Sequence, residues 1–594
     1  MASIDFTSKT VPYGLKYLSG GLNSTDNPLS LDDAEASDLQ NVDFNVNRSF
    51  KKRNGYTTLN SSAFNSGATA TSLHWYETSS SDFLMGTFGN KVAKMDDFDG
   101  TWDDITEDQS VTFTGSGLDD ATSGGTYTGN GDIEYKVVID ATGTPDTFEW
   151  FKDSVSQASG VSITGSAQTL DNGLTITFAA TTGHTTNDQW VFHPATTITA
   201  GNNNLFKWST FNGKAYGTNG VDRPIKWAGS GNASLWTVLS GMTKAKWCEY
   251  FENYMFVANV TVSSTVHQTR IYWSTLDDAE TYSSADFNEI GLDDGQEITG
   301  LKALGDRLVV FKERSIYIAL FTGDADIPFA FKKSQSSVGC VSGYSIQEVN
   351  NGLIFLSLDG IYFFDGATST KISDRISSTI NGYTKSRFAT AVSGYQRDAN
   401  RYWLSFTASG GSTHSAIVTW DSFNNAFSVY SGIAANAITV LRTSGDERIY
   451  FGDYGGFAYR ADSGTSDNPL GTETAVTAYW RSKWFDFGDP MNQKGVPNVT
   501  AYFNYASTTM TFIYSYDLES GDQFSQTFSI QAPGSLWDQA NWDEGEWGGS
   551  GGSFVRLDLD GRGRLIRFAF YNDVLDEQFQ INGIGMNAHL ETAA

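Results

Sequence analysis
Two cysteines in 594 residues, Cys248 and Cys340, are too few and too far apart for a disulfide framework or a zinc site, so both read as small buried thiols. No apolar run approaches the ~18 residues of a membrane-spanning helix, and the opening MASIDFTSKTVPYG has no basic-then-apolar signal segment, so the chain reads as soluble and made in the cytoplasm. Positive charge is scarce. Against 68 Asp and Glu stand 39 Lys and Arg, a formal net charge of −29. That balance excludes a protein whose task is to grip nucleic acid by counterion release, because most of its surface repels phosphate. Stretches rich in Ala, Leu, Glu and Lys are nearly absent, which removes long helices from the expected fold. The six histidines (His74, His184, His193, His267, His414 and His589) have no companion at metal-ligand spacing, and neither a Walker loop nor a Rossmann fingerprint occurs. No metal and no cofactor are expected.

What the chain does have is aromatic and glycine-rich: 16 Trp, 27 Tyr, 40 Phe and 60 Gly, a β composition. In Asn351 to Ile372, NGLIFLSLDGIYFFDGATSTKI, two runs of β-formers flank Leu358-Asp359-Gly360 and the second is closed by Asp365-Gly366. This predicts a hairpin. Similar strand-turn-strand units start near Asp82, Asn212, Asn253, Asp306, Asn400 and Asp446. From Asn212 onward they recur every roughly 40 to 50 residues, the length of one four-stranded propeller blade. The expected fold is all-β: a β-propeller of about seven blades over residues 61–106 and 197–466, interrupted by an inserted β-sandwich domain at 107–196 and followed by a C-terminal β-sandwich at 472–594.

The inserted segment has period-two strands at 133–139, 147–151, 174–178 and 189–192. Its Trp150 and Trp190 could stack on sugars, but they fall within strand patterns and read better as core. Residues 1–60 read as an N-terminal arm with a short helix at Leu29–Ala36, where Ser30 is the N-cap and acids fill the first turn. A basic trio follows, Lys51, Lys52 and Arg53, either the solvated edge of an arm laid on a neighbouring sheet or a cationic patch for an acidic partner or phosphate. Near the C-terminus, WDQANWDEGEW places Trp537, Trp542 and Trp547 five apart, a spacing that suits neither one strand face nor one helix face and points to packing on a sheet or on a neighbouring copy. These six residues are the candidate partner-binding set.

No catalytic residues are expected. With 68 acids, pairs such as Asp293 and Asp294 or Asp558 and Asp560 arise by chance, and Asp558-x-Asp560-Gly561 lacks the further ligands of a calcium loop. Gly548 to Gly552 spells a nucleophile elbow but sits in a glycine-rich loop rather than between strand and helix. The chain therefore reads as no enzyme. The alternative is a glycan-binding or glycan-cleaving surface protein.

From Gly20 to Tyr56 the Gly-Gly-Leu opening, the Pro-containing polar stretch, the acidic segment, Asn41-Val42-Asp43-Phe44 and the basic trio before Gly55-Tyr56 resemble the N-terminus of phage tail nozzle (tail tubular B-like) and head-to-tail stabilisation proteins. The inserted module and KWFDFGDPMNQK ahead of the C-terminal strands are similar to segments of phage tail proteins. The resemblance implies a β-propeller tail protein of the virion, made in the host cytoplasm. It further implies a homo-oligomeric ring of six copies around the DNA channel. The ring would join an adaptor or portal-side protein to tail fibres or spikes, and genomic DNA would pass its lumen without specific binding. The acidic balance suits such a wall, since it would let the genome slide past.

Overall fold
The computed structural model of the chain describes residues 11–78, 82–96, 98–443, 445–504, 508–518, 523–530 and 553–590. Two compact units divide it: Met1–Ser61 with Tyr344–Asp365 and Ser369–Ala594, and Ser62–Gly343 with Gly366–Thr368.

The second of these units holds four four-stranded antiparallel sheets, each a meander of consecutive strands. They are built on the strand pairs Ala70–Glu77 with Asp82–Phe88, Lys207–Phe211 with Lys214–Thr218, Met242–Phe251 with Tyr254–Val262, and Ile298–Leu304 with Arg307–Lys312. Between the first and second lies the inserted segment. Its five-stranded sheet runs through Tyr135–Ala141, and a three-stranded sheet is centred on Leu174–Phe178. Alternation sets its faces: Tyr135, Val137 and Ile139 are buried while Lys136, Val138 and Asp140 are half-exposed. Trp150 and Trp190 lie in this core with Phe148, Phe178 and Phe192, so neither ring is open to a sugar.

The other unit holds three more four-stranded sheets. One is built on the hairpin expected within Asn351 to Ile372, Gly352–Ser357 with Gly360–Phe364, joined by the two residues Leu358 and Asp359. The next runs through Ser393–Gln396, Arg401–Phe406, Ala416–Asp421 and Ala426–Ser431. The last takes three strands from Ala437 to Ala461 and its fourth, Tyr56–Thr58, from the start of the chain, with Thr58, Thr57 and Tyr56 opposite Tyr459, Arg460 and Ala461. A strand from a distant part of the chain thus supplies the partner that the free edge of Ala458–Ala461 requires.

Two six-stranded sheets complete this unit, and both mix strands from the two ends of the sequence. In one, Phe50–Lys52 lies between Val42–Phe44 and Gln580–Leu590; in the other, Glu35–Gln40 pairs with Ala478–Ser482. Phe50 from the first sheet stacks on Trp480 from the second, with centroids 5.2 Å apart and planes at 17°, and Phe512, Phe568 and Phe570 extend the same core.

This arrangement corrects one expectation. No helix forms at Leu29–Ala36; residues 28–34 are turns and bends, and Glu35–Gln40 is a strand. Local capping signals lost to sheet pairing: the Glu35 carboxylate accepts the Asp32 N–H at 3.1 Å, as a turn would have it, and the backbone beyond bonds to Ala478–Ser482.

Candidate functional site
The segment from Asn41 to Tyr56 crosses from the six-stranded sheets to the last four-stranded sheet, and the basic trio sits at the crossing. Lys51 and Lys52 end one strand, Arg53 and Asn54 turn the chain, and Tyr56 begins the next strand. Along a strand neighbouring side chains point to opposite faces, so three consecutive basic residues cannot share one environment.

Lys52 and Arg53 point inward, which corrects the reading of the trio as a patch for an outside partner. Lys52 donates to the Asn572 carboxamide oxygen at 2.7 Å and to the Val574 carbonyl at 3.2 Å. Burial is the main reason its ammonium is held down at about 8, with nearby Glu577 acting in the opposite sense. Arg53 spends all five of its N–H groups. It forks onto both oxygens of Asp467 at 2.8 and 2.7 Å and also reaches the Asn41 side chain, the Asn54 carbonyl and the Ser431 carbonyl. Only the third residue, Lys51, stands at a surface.

Lys51 lines a cleft of about 390 Å³ together with Asp43, Asp398, Arg401, Asp421 and Asp462. Arg401 is its centre: it donates to Asp43 at 2.9 Å, to Gln396 at 3.1 Å and to Asp462. Tyr430 donates its phenol to Asp43. Burial on its own would raise the Asp43 carboxyl, but Arg401, Lys51 and the Tyr430 hydrogen bond together hold it below the usual range. The Tyr430 phenol moves the opposite way, well above its ordinary value, through burial and then the Asp43 charge. The outer acids are spent on turns: Asp421 accepts the Phe423 and Asn424 amides, and Asp398 accepts that of Glu447. The cleft therefore holds four carboxylates against two cations, Lys51 and Arg401, with its inner acids paired to Arg401, and offers no nucleophile beside a base. What it does is mechanical, pinning the chain's first strands to sheets more than 350 residues away in sequence.

A second buried ionic cluster lies in the inserted segment and was invisible to motif reading. His184, with no exposed side-chain surface, reaches Asp146 through Nδ1 at 3.0 Å and Asp120 through Nε2 at 2.9 Å. Burial disfavours the charged ring, but hydrogen bonds and charge from both carboxylates outweigh it and raise its affinity for the proton. The same acids hold backbone: Asp146 accepts the Gly143 and His184 amides, and Asp120 accepts that of Ala180. Beside them Asp188 accepts the amides of Ser116, Gly117 and Thr185, which keep its carboxyl low against the effect of burial. One imidazole and three carboxylates thus gather three loops. The sequence hint was only the density of Asp and Gly around His184, which turns explain equally well.

Cys248 and Cys340 are buried and form no disulfide, and burial pushes the Cys248 thiol up to about 12. Asp294 salt-bridges the fully buried Lys312 at 2.6 Å, whereas Asp558 and Asp560 are exposed. Among the described residues no group of three or more His, Cys, Asp or Glu could hold a metal ion. None of their helices is long and apolar enough to cross a membrane. Trp537, Trp542 and Trp547 lie outside the described residues.

Residues 229–404 match the model of a family described as bacteriophage P22 Gp10, beta-propeller. The matched stretch takes in the sheets built on Met242–Phe251, Ile298–Leu304 and Gly352–Ser357 and the start of the next. It supports a phage tail or stabilisation protein family, hence a phage structural protein and virion component, and a propeller reading of the sheets. No curated protein matches the chain. Solved structures similar to it include the computationally designed protein Ika8, at 10% identity over 68% of this chain and 99% of that one, with a TM-score of 0.32. Another is the exo-beta-1,3-galactanase from Phanerochaete chrysosporium with galactose, at 10% identity over 66% of this chain and 96% of that one, with a TM-score of 0.22. At such TM-scores neither likeness bears on fold or function.

Proposed function
We propose that the chain is a structural subunit of a phage tail, placed at the nozzle. Its seven four-stranded sheets are read as the blades of one β-propeller, with Tyr56–Thr58 as the last strand of the seventh. Copies form a ring around the DNA channel, joined on one side to an adaptor or tail tube and on the other to fibres or spikes, and DNA passes through on ejection. Six copies is the number the resemblance implies. The observation that carries this reading is the match of residues 229–404 to a phage propeller family, within a chain whose described residues repeat the four-stranded unit seven times.

Charge and chemistry agree with it. A net charge of −29 disfavours a grip on passing DNA, and the ionic clusters described above are engaged in holding strands and loops rather than poised for reaction. No catalytic step is assigned. The test is mass by light scattering, alone and with the adaptor protein. A mass of several copies on the adaptor is expected; a strict monomer at high concentration with the adaptor present would overturn the ring.

A further inference from the structure
On the outer face of the six-stranded sheet that carries Ala478–Ser482, a trough of about 640 Å³ lies open, and nothing in the proposed tail role explains it. Its floor is two adjacent rungs, the longer one spanning five strands. In one rung Asp38, Arg481, Ala569, Ile513 and Ser525 stand side by side in register; in the other, Tyr479, Tyr571 and Thr511 do. The inward residues between them, Trp480, Phe512 and Phe570, are core, so alternation turns this second set outward. Ala569, small between Arg481 and Ile513, leaves the depression.

The rings of Tyr479 and Tyr571 are nearly parallel, at 18° with centroids 6.5 Å apart, and each phenol is anchored to a carboxylate, Tyr479 to Asp38 at 3.2 Å and Tyr571 to Asp573 at 3.3 Å. Around them hydrogen-bonding capacity is unspent: among the described residues the Thr511 and Ser525 hydroxyls and the Gln523 carboxamide nitrogen have no partner. Burial raises the Asp38 carboxyl although Arg481 and Tyr479 act against it, a sign that this wall of the trough is shielded from water.

This chemistry selects among occupants. An apolar helix wants an apolar groove, and six of the ten lining residues are polar or charged. A nucleic acid strand would bring phosphate to Asp38 and Asp573, with Arg481 as the one cation in the lining. A ligand with flat apolar faces and many neutral hydroxyls fits best: its C–H faces pack on tyrosine rings, and its hydroxyls meet Arg481, Asp573, Gln523, Thr511 and Ser525. The geometry points to a binding site for a neutral oligosaccharide in this trough, with Tyr479 and Tyr571 as the stacking floor. A tail subunit so equipped would touch surface polysaccharide through its sandwich rather than through the inserted segment, whose tryptophans are interior.

The test applies the full chain to an array of neutral glucan, mannan and galactan oligosaccharides, then titrates the strongest binder by calorimetry. Tyr571→Ala should lower the affinity roughly tenfold, with Q523A/S525A on the exposed edge strand costing a few-fold. Gln523 and Ser525 are themselves exposed, so the double variant keeps the test valid if the tyrosine variant misfolds. Retention of no oligosaccharide on the array would overturn the proposal, as would binding that neither variant weakens. Loss of self-association in Tyr571→Ala without any glycan effect would also overturn it and assign the trough to a second copy of the chain.

Discussion

The Arg401 and Arg53 clusters of one unit and the His184 cluster of the other perform the same task with cations of different chemistry. Each buries a basic group against one or two carboxylates and uses it to hold segments far apart in sequence, Asn41 to Asp467 in the first case and the loops around Ser116, Gly143 and His184 in the second. A guanidinium stays charged throughout the usable pH range, so the arginine clusters fail only when their carboxylates gain protons. An imidazolium can itself lose its proton. The comparison teaches that loss of stability on the alkaline side belongs to the inserted segment, while the arginine clusters at the junction of the chain's two ends are insulated from it.

The largest effect should come from breaking the arginine side of that contrast. Arg401→Ala strands Asp43 and Asp462 in the interior, at a cost of about 3–5 kcal/mol; urea denaturation with tyrosine and tryptophan fluorescence measures it. Replacing the histidine should cost less, since its two hydrogen bonds to charged groups contribute about 1.5–3 kcal/mol each at most and glutamine restores part of them. His184→Gln is therefore expected to destabilise the inserted segment by about 2 kcal/mol, read by hydrogen exchange of the amides it gathers.

The pH profile sharpens the comparison further. Because folding raises the affinity of His184 for its proton, its contribution is complete below about 6.5 and is lost as pH rises through the raised folded value. Asp43, Asp146 and Asp188 are depressed, so their contributions are present above about 3.8 and are lost as pH falls through their folded values. Exchange protection around His184 should therefore drop in alkali in the native chain, and this drop should vanish in His184→Gln. A profile unchanged by the substitution would remove the histidine from the account.

Lys52 provides the smaller contrasts. Its ammonium is held down at about 8 by burial, so between about 8 and 10.5 the unfolded chain binds more protons than the folded one and stability gains with rising pH. Lys52→Met should erase that gain while changing stability at neutral pH by less than about 1 kcal/mol, because a buried cation is often replaceable by an apolar chain. Lys51→Ala, at the cleft surface, should cost less still, within about 0.5 kcal/mol.

Much of the fold could be read from the chain. Strands at 174–178 and 189–192 fall where alternation puts them, and the hairpin at Gly352–Phe364 follows from its β-formers and turn residues. These are short-range signals, and the physics behind them is local. The misses are of another kind. Leu29–Ala36 has the cap and acids of a helix start, yet the unpaired edge of Ala478–Ser482, more than 400 residues on, takes Glu35–Gln40 as a strand. Lys52 and Arg53 look like a solvated charge run because their partners, Asn572 and Asp467, are invisible to any window. The trough was hidden for the same reason, since its ten residues come from five separate stretches that only the register of the sheet brings together.

The proposal that this chain builds a phage tail ring is decided by electron micrographs of the full chain mixed with an adaptor protein. The account predicts end-on class averages of closed rings of several copies around an open lumen. Adaptor particles that carry no added density, or carry single unringed copies at saturating concentration, would contradict it.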